Sequence, residues 1–213
     1  RVKLQFFTNV THELMTPLSI LITSLEGLNK GVGEPHALYS VMTVNAARLM
    51  RLIQQILEFR KAESGNLKLG VSQGDIAAFI RKCSEAFTPL VTKKALHFSF
   101  EASPSSIRGW FDPDKVDKII YNLLSNAAKY TPADGRIGIT LTRLDNEVEI
   151  EVANSGELMS REAIDNLFKR FYDGKYRKFH TIGTGIGLSL VKDLVTIHKG
   201  RIAVTSCAER GNC

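Results

Sequence analysis

The chain has 213 residues, of which 44% are hydrophobic and 23% charged, the profile of a globular protein with a sizeable core and not of a disordered one. Its net charge of +6, from 28 basic and 22 acidic residues, suits an anionic ligand, but the basic residues are scattered without arginine runs or interleaved aromatics, so nucleic-acid binding is not indicated. Three cysteines without CxxC spacing fit a reducing compartment, and no apolar run approaches the roughly 20 residues of a membrane span.

Phe7, Val10, Leu14, Leu18, Leu21, Leu25 and Leu28 recur every 3 or 4 residues and predict a helix from about Val2 to Asn29. The chain opens without Met inside that helical pattern, so it is expected to be a piece of something longer. Gly31 to Pro35 breaks the helix. Leu38, Met42, Asn45, Leu49, Leu52, Ile56 and Phe59 then predict a second one ending before Ser64. Two such helices make an antiparallel hairpin that cannot bury both stripes alone, so residues 1–63 are expected to form a homodimer with a four-helix bundle. Asn45, at a stripe position, either fixes the register or is partly exposed. In the first helix His12 lies about 160° from Leu14, toward water, with Glu13 beside it and Thr16 one turn on. Pro17 lacks the N–H that would bond the Glu13 carbonyl, a helix defect just beyond the histidine.

The pattern changes at residues 64–66, where a domain boundary is expected. Leu67–Val71 alternates like a strand, and Asp75 is placed to cap a helix carrying Ile76, Phe79, Ile80, Cys83, Phe87 and Leu90. His97–Glu101 and Ile107–Phe111 read as strands. Asp112-Pro113 starts a helix that buries Val116, Ile119, Ile120, Leu123, Leu124 and Ala127. On its other side stand Asp114, Lys118, Asn122, Asn126 and Lys129. An amide oxygen can ligate Mg²⁺ and a lysine can meet phosphate oxygens, although a solvated helix face uses the same residues.

Arg136–Thr142 and Glu147–Ala153 read as paired strands turning at Asp145-Asn146, and the second runs into Asn154-Ser155-Gly156-Glu157. Ile164, Leu167, Phe168, Phe171 and Tyr172 read as an apolar helix. Asp173–His180 is polar, basic and unpatterned, a candidate lid whose Lys175, Arg177 and Lys178 are within the range of charges that meet phosphate. Gly183-Thr184-Gly185-Ile186-Gly187-Leu188 leads into a helix over Ser189–His198. Backbone N–H groups at such a loop cradle phosphate, but the spacing is neither that of a Walker loop nor of a dinucleotide fingerprint. Arg201–Ser206 is the last expected strand.

The string His12-Glu13-Leu14-Met15-Thr16-Pro17-Leu18 resembles the phospho-acceptor box of the sensor histidine kinases of two-component systems, a family that includes hybrid sensors. Asn122-Leu-Leu-Ser-Asn126-Ala-Ala-Lys129-Tyr130-Thr131 resembles its N box, Leu167-Phe168 to Phe171-Tyr172 its F box, and Gly183 to Leu188 its second glycine box. The resemblance covers nearly the whole chain. It implies an α+β architecture: residues 1–63 as a dimerising, phosphate-accepting helical hairpin, and 64–213 as an α/β-sandwich ATP-binding domain, a mixed sheet with helices on one face, cut short at its C-terminus.

The resemblance also implies the chemistry. A phosphoryl group would pass from Mg·ATP to His12, then to an aspartate on a response regulator receiver domain, with Glu13 taking the imidazole proton and Thr16 orienting the water that later removes the phosphate. Asn126 and Asn122 would hold Mg²⁺. Lys129, Tyr130, Asn154, Gly156, Lys175, Arg177, Gly183, Thr184, Gly185, Gly187 and Leu188 would hold ATP. The segment would be the cytoplasmic portion of an inner-membrane sensor, making no membrane contact itself. Three features depart from the family pattern: Asn154 stands where an adenine-binding Asp is usual, the second glycine of the motif that follows it is not evident, and Met15 stands where an Arg is usual. They leave an alternative, a dimeric signalling scaffold or phosphatase with weak nucleotide binding.

Overall fold

The computed structural model describes residues 2–172, 185–207 and 211–213, with side chains from Phe6 onward. In chain order the elements are α1 (Val2–Asn29), α2 (Pro35–Glu63), β1 (Ser72–Asp75), α3 (Ile76–Glu85), α4 (Thr88–Lys93), β2 (His97–Ser103), β3 (Arg108–Phe111) and α5 (Pro113–Tyr130). They continue with β4 (Arg136–Arg143), β5 (Val148–Asn154), α6 (Arg161–Asn166), α7 (Gly187–Ile197), β6 (Ser206–Cys207) and β7 (Gly211–Asn212). The chain divides into two compact units: Arg1–Leu67 with Lys169–Leu190, and Lys68–Phe168 with Val191–Cys213.

In the first unit, α1 and α2 form the expected hairpin. Glu34 caps α2 by accepting from the Ala37 N–H at 2.7 Å, and Pro35 sits in its first turn, where the missing N–H costs nothing. The buried stripe of α1 differs from the expected one. Phe6, Val10, Pro17 and Ser24 are buried and Leu14, Leu21 and Leu28 half-buried, whereas Phe7, Leu18 and Leu25 are exposed. The helix therefore has two apolar faces, and the hairpin uses one. Asn45 is half-buried and bonds within its own helix, its amide donating to the Val41 carbonyl at 2.8 Å.

Lys169–Leu190, expected in the ATP-binding domain, clusters with the hairpin, and among its described residues Phe171 and Ile186 pack against Phe6, Val10 and Phe59. Phe171 lies tilted at 4.9 Å from Phe6 and edge-on at 5.6 Å from Phe59, and Ile186 is fully buried beside them. The expected helix through Tyr172 stops at Asn166 instead, since Phe171 adopts φ 63° and its N–H bonds the Gly185 carbonyl at 2.9 Å.

The second unit holds a five-stranded mixed sheet in the order β2-β4-β5-β7-β6, with β2 and β4 parallel and the other pairs antiparallel. Ile137, Ile139 and Leu141 alternate along β4 and are buried under Ile76 and Ile80 of α3 and Val116, Ile120 and Leu124 of α5. Each helix starts at an aspartate cap. Asp75 accepts from Ala77 and Ala78, and Asp112 from Lys115.

Three further expectations are corrected here. Leu67–Val71 is not a strand, because the Gly70 N–H donates to the Asp112 carboxylate at 2.7 Å, and the strand is Ser72–Asp75, antiparallel to β3. The single helix expected over Ile76–Leu90 is two, α3 and α4. Pro89 has no N–H to continue the first, so the chain turns at Phe87, whose ring packs 5.3 Å from Tyr121. Arg201–Ser206 pairs only at its end: Thr205 and Cys213 exchange N–H···O bonds of 2.9 Å, and Ser206 faces Asn212.

Candidate functional site

His12 is exposed on α1. Glu13 is half-buried and turned to α2, where its Oε2 lies 3.1 Å from Nη2 of Arg48. Successive helix residues point about 100° apart, so Arg48 captures the carboxylate and no His12–Glu13 hydrogen bond forms among the described residues. Thr16 is exposed, its hydroxyl donating to the His12 carbonyl at 3.1 Å. Met15 is 53% exposed.

In the same unit Gly185 has φ +68°, and a Cβ there would stand 3.1 Å from the Phe171 backbone, so glycine is what this close crossing admits. Gly187 opens α7 and Leu188 is half-buried in its first turn. Lys175, Arg177, Lys178, His180, Gly183 and Thr184 lie outside the described residues.

In the second unit α5 and the end of β5 carry the remaining candidates. Asn122 is buried rather than on a wet face, its Nδ2 donating to the Lys118 carbonyl at 2.7 Å. Lys118 meets Asp114 at 2.7 Å. One turn on, Asn126 is half-buried, and its amide has no hydrogen-bond partner among the described residues. Its amide oxygen is a hard donor within reach of solvent, which fits a Mg²⁺ ligand. The Lys129 ammonium lies 5.3 Å from the Tyr130 ring centroid.

Asn154 ends β5, and its Nδ2 donates to Thr131 Oγ1 at 3.1 Å. Thr131, the C-cap of α5, in turn donates to the Ala127 carbonyl at 2.6 Å. Gly156 follows under crowding: a Cβ there would meet Asn154 Nδ2 at 2.7 Å and the Tyr130 carbonyl oxygen at 2.9 Å. Asn212 closes the loop, donating to the Glu157 carbonyl at 3.0 Å and accepting from Ser206 at 2.6 Å. Arg48 and Asn212 had no sequence signal, and Thr131 stood only as the end of the N-box string; Arg48 and Thr131 meet Glu13 and Asn154 from 35 and 23 residues away, and Asn212 meets Glu157 from 55.

A family model for the His Kinase A (phospho-acceptor) domain matches residues 2–65, and one for the histidine kinase-, DNA gyrase B- and HSP90-like ATPase matches residues 111–213. The chain belongs to the sensor histidine kinases of two-component systems. Histidine kinase P4 of Formosa agariphila is 32% identical over 209 residues, 95% of this chain and 15% of that protein. Across three curated relatives the chain spans 14–22% of their length. Among solved structures, full-length ShkA in complex with AMPPNP superposes with a TM-score of 0.68 at 22% identity, covering 98% of this chain and 44% of that one. ThkA in complex with the response regulator protein TrrA gives a TM-score of 0.63 at 21% identity, covering 98% and 59%. At these identities the structures speak for the fold.

Proposed function

We propose that this chain is the autokinase core of a two-component sensor, taking the γ-phosphoryl group of ATP onto His12 and passing it to an aspartate of a response regulator. What carries this reading is the occurrence in one chain, in family order, of a hairpin presenting an exposed histidine and an ATPase-type sheet domain, each matched by its own family model.

A neutral imidazole is itself a nucleophile, so His12 needs little activation. One ring nitrogen bonds phosphorus as the bond to the ADP leaving oxygen breaks, and the proton on the other nitrogen leaves to Glu13 once that carboxylate turns from Arg48. Asn126, assisted by Asn122, would hold Mg²⁺, which when bound neutralises phosphate charge. Lys129, Tyr130, Gly156 and the second glycine box, Gly183 to Leu188, with lid residues Lys175 and Arg177, would position the triphosphate, and Asn154 the base. Most of the rate then comes from positioning and charge neutralisation. Thr16 orients the water that later removes phosphate from the regulator.

The unused face of the hairpin supports a homodimer. Phe7, Leu18, Ile22 and Leu25 share one face of α1, as Met50, Ile53 and Leu57 share one of α2, and all are exposed in the single chain. A second copy covering them completes a four-helix bundle. No helix among the described residues is long and apolar enough to cross a membrane, and the name sensor borne by relatives supports a cytoplasmic segment of a membrane-anchored protein. The test is transfer: chain labelled from γ-labelled ATP should lose label to a receiver domain within a panel, and label that stays on the chain with every receiver would remove the second half of the reaction.

A further inference from the structure

Thr131 is 2% exposed at the end of α5. Its Oγ1 lies 2.6 Å from the Ala127 carbonyl oxygen and 3.1 Å from the Asn154 amide. A hydroxyl has one proton, and a carbonyl oxygen only accepts. That proton therefore goes to Ala127, and Oγ1 faces Asn154 as an acceptor. The Asn154 atom opposite it has to be the donor, Nδ2. With Nδ2 held there, Oδ1 points the other way, where it meets no donor among the described residues and is not sealed from solvent.

This orientation matters because an amide, unlike a carboxylate, has two faces of opposite character. A carboxylate at this position only accepts, which suits the 6-amino group of adenine and opposes the 6-oxo group of guanine. A freely rotating amide serves either base, donating through Nδ2 or accepting through Oδ1. The two differ by a flip.

We infer that Thr131 is a specificity-determining residue: the Ala127–Thr131–Asn154 relay locks the amide so that Oδ1 alone is offered, which gives an Asn the purine preference of an Asp. The inference rests on the reading of Asn154 as the contact to the nucleotide base. Thr131 touches no base itself and acts by positioning Asn154. Flipping the amide in the intact relay sets its oxygen against the lone pairs of Oγ1 and gives up the Asn154–Thr131 hydrogen bond; turning the hydroxyl to meet a neutral amide oxygen only exchanges that loss for the 2.6 Å bond to Ala127. In Thr131→Val, of similar shape but without the hydroxyl, neither orientation is favoured.

The test is competition of ADP and GDP against a fluorescent adenine nucleotide on the full chain, read as the ratio of their dissociation constants. Wild type should prefer ADP. Thr131→Val should lower the GDP-to-ADP ratio by about tenfold, the cost of one unmatched buried group, while Thr131→Ser keeps the wild-type ratio. In an Asn154→Asp background the same Thr131→Val change should leave the ratio unmoved, since a carboxylate has nothing to flip. If Thr131→Val fails to fold by circular dichroism, Thr131→Ala reads the same ratio. A ratio unchanged in the valine or alanine variant, or equal ADP and GDP binding by wild type, overturns the inference and leaves the nucleotide site standing. Wild type that binds neither nucleotide overturns both.

Discussion

Glu13 Oε2 lies 3.1 Å from Nη2 of Arg48, joining the helix that carries His12 to its partner in the hairpin. The carboxylate is 16% exposed and the guanidinium 47%, so the pair is wet on one side only. Partly exposed ion pairs contribute about 0.2–1 kcal/mol, enough to bias a side chain and too little to fix it. Arg48→Ala should release Glu13 toward the imidazole and raise the initial rate of His12 phosphorylation by up to about fivefold, with stability lowered by less than about 1 kcal/mol. A rate that falls in rapid-mixing assays would mean that Arg48 holds Glu13 in its working position.

Asn154→Asp should tighten adenine nucleotide binding. The Thr131 hydroxyl gives up its 2.6 Å bond to the Ala127 carbonyl only for a charged acceptor, donating to the new carboxylate in a charge-assisted bond stronger than the neutral one lost. A charge-assisted bond to the base is roughly twice as strong as a neutral one, which predicts a gain of about fivefold in ATP affinity by calorimetry. Unchanged or weaker binding would place the base elsewhere.

Phe59 is 1% exposed and contacts Phe6 at 5.9 Å and Phe171 at 5.6 Å between ring centroids. Removing it leaves a cavity where three rings meet. Phe59→Ala should cost about 3–4 kcal/mol by urea unfolding. It should also raise proteolysis next to Phe171 and Ile186, which pack against it. Loss of stability without added cleavage would show that other contacts hold the segment.

Asp75 is held below the ordinary carboxylate range by the Ser106 hydroxyl and by the N–H groups of Ala78, Ile107 and Ala77, against a smaller opposing effect of burial. A folded-state value below the unfolded one, about 3.9, contributes stability that is fully present above that pH and is lost as pH falls through the folded value. Asp75→Asn retains a capping side chain but cannot ionise. Its urea midpoint should fall less steeply than that of wild type below about pH 4. Parallel pH profiles would remove Asp75 as a source of the acid sensitivity.

The hairpin and α5 were legible because their signals are local: 3–4 spacing bounded by glycines and Pro35 for one, the Asp112-Pro113 start for the other. The β4–β5 pair was legible from alternation around Asp145-Asn146. What stayed hidden depends on distant partners. Ser72–Asp75 has no apolar alternation and becomes a strand only by pairing with Arg108–Phe111, while Leu67–Val71 alternates yet loses Gly70 to a carboxylate 42 residues on. The second apolar face of α1 was concealed by the first, since Phe6 is buried while Phe7 beside it is exposed. Within the site, His12, Asn126 and Asn154 stood out as residue types in a pattern. Arg48 did not, and Thr131 stood out only as the end of the N-box string, because an arginine or threonine reveals its role only when the fold supplies Glu13 or Asn154.

The most direct test of the account is autophosphorylation of the chain with γ-labelled ATP and Mg²⁺, comparing wild type with His12→Gln. The account predicts an acid-labile, base-stable label on wild type and none on the variant. Label retained by His12→Gln, or acid-stable label on wild type, would contradict it.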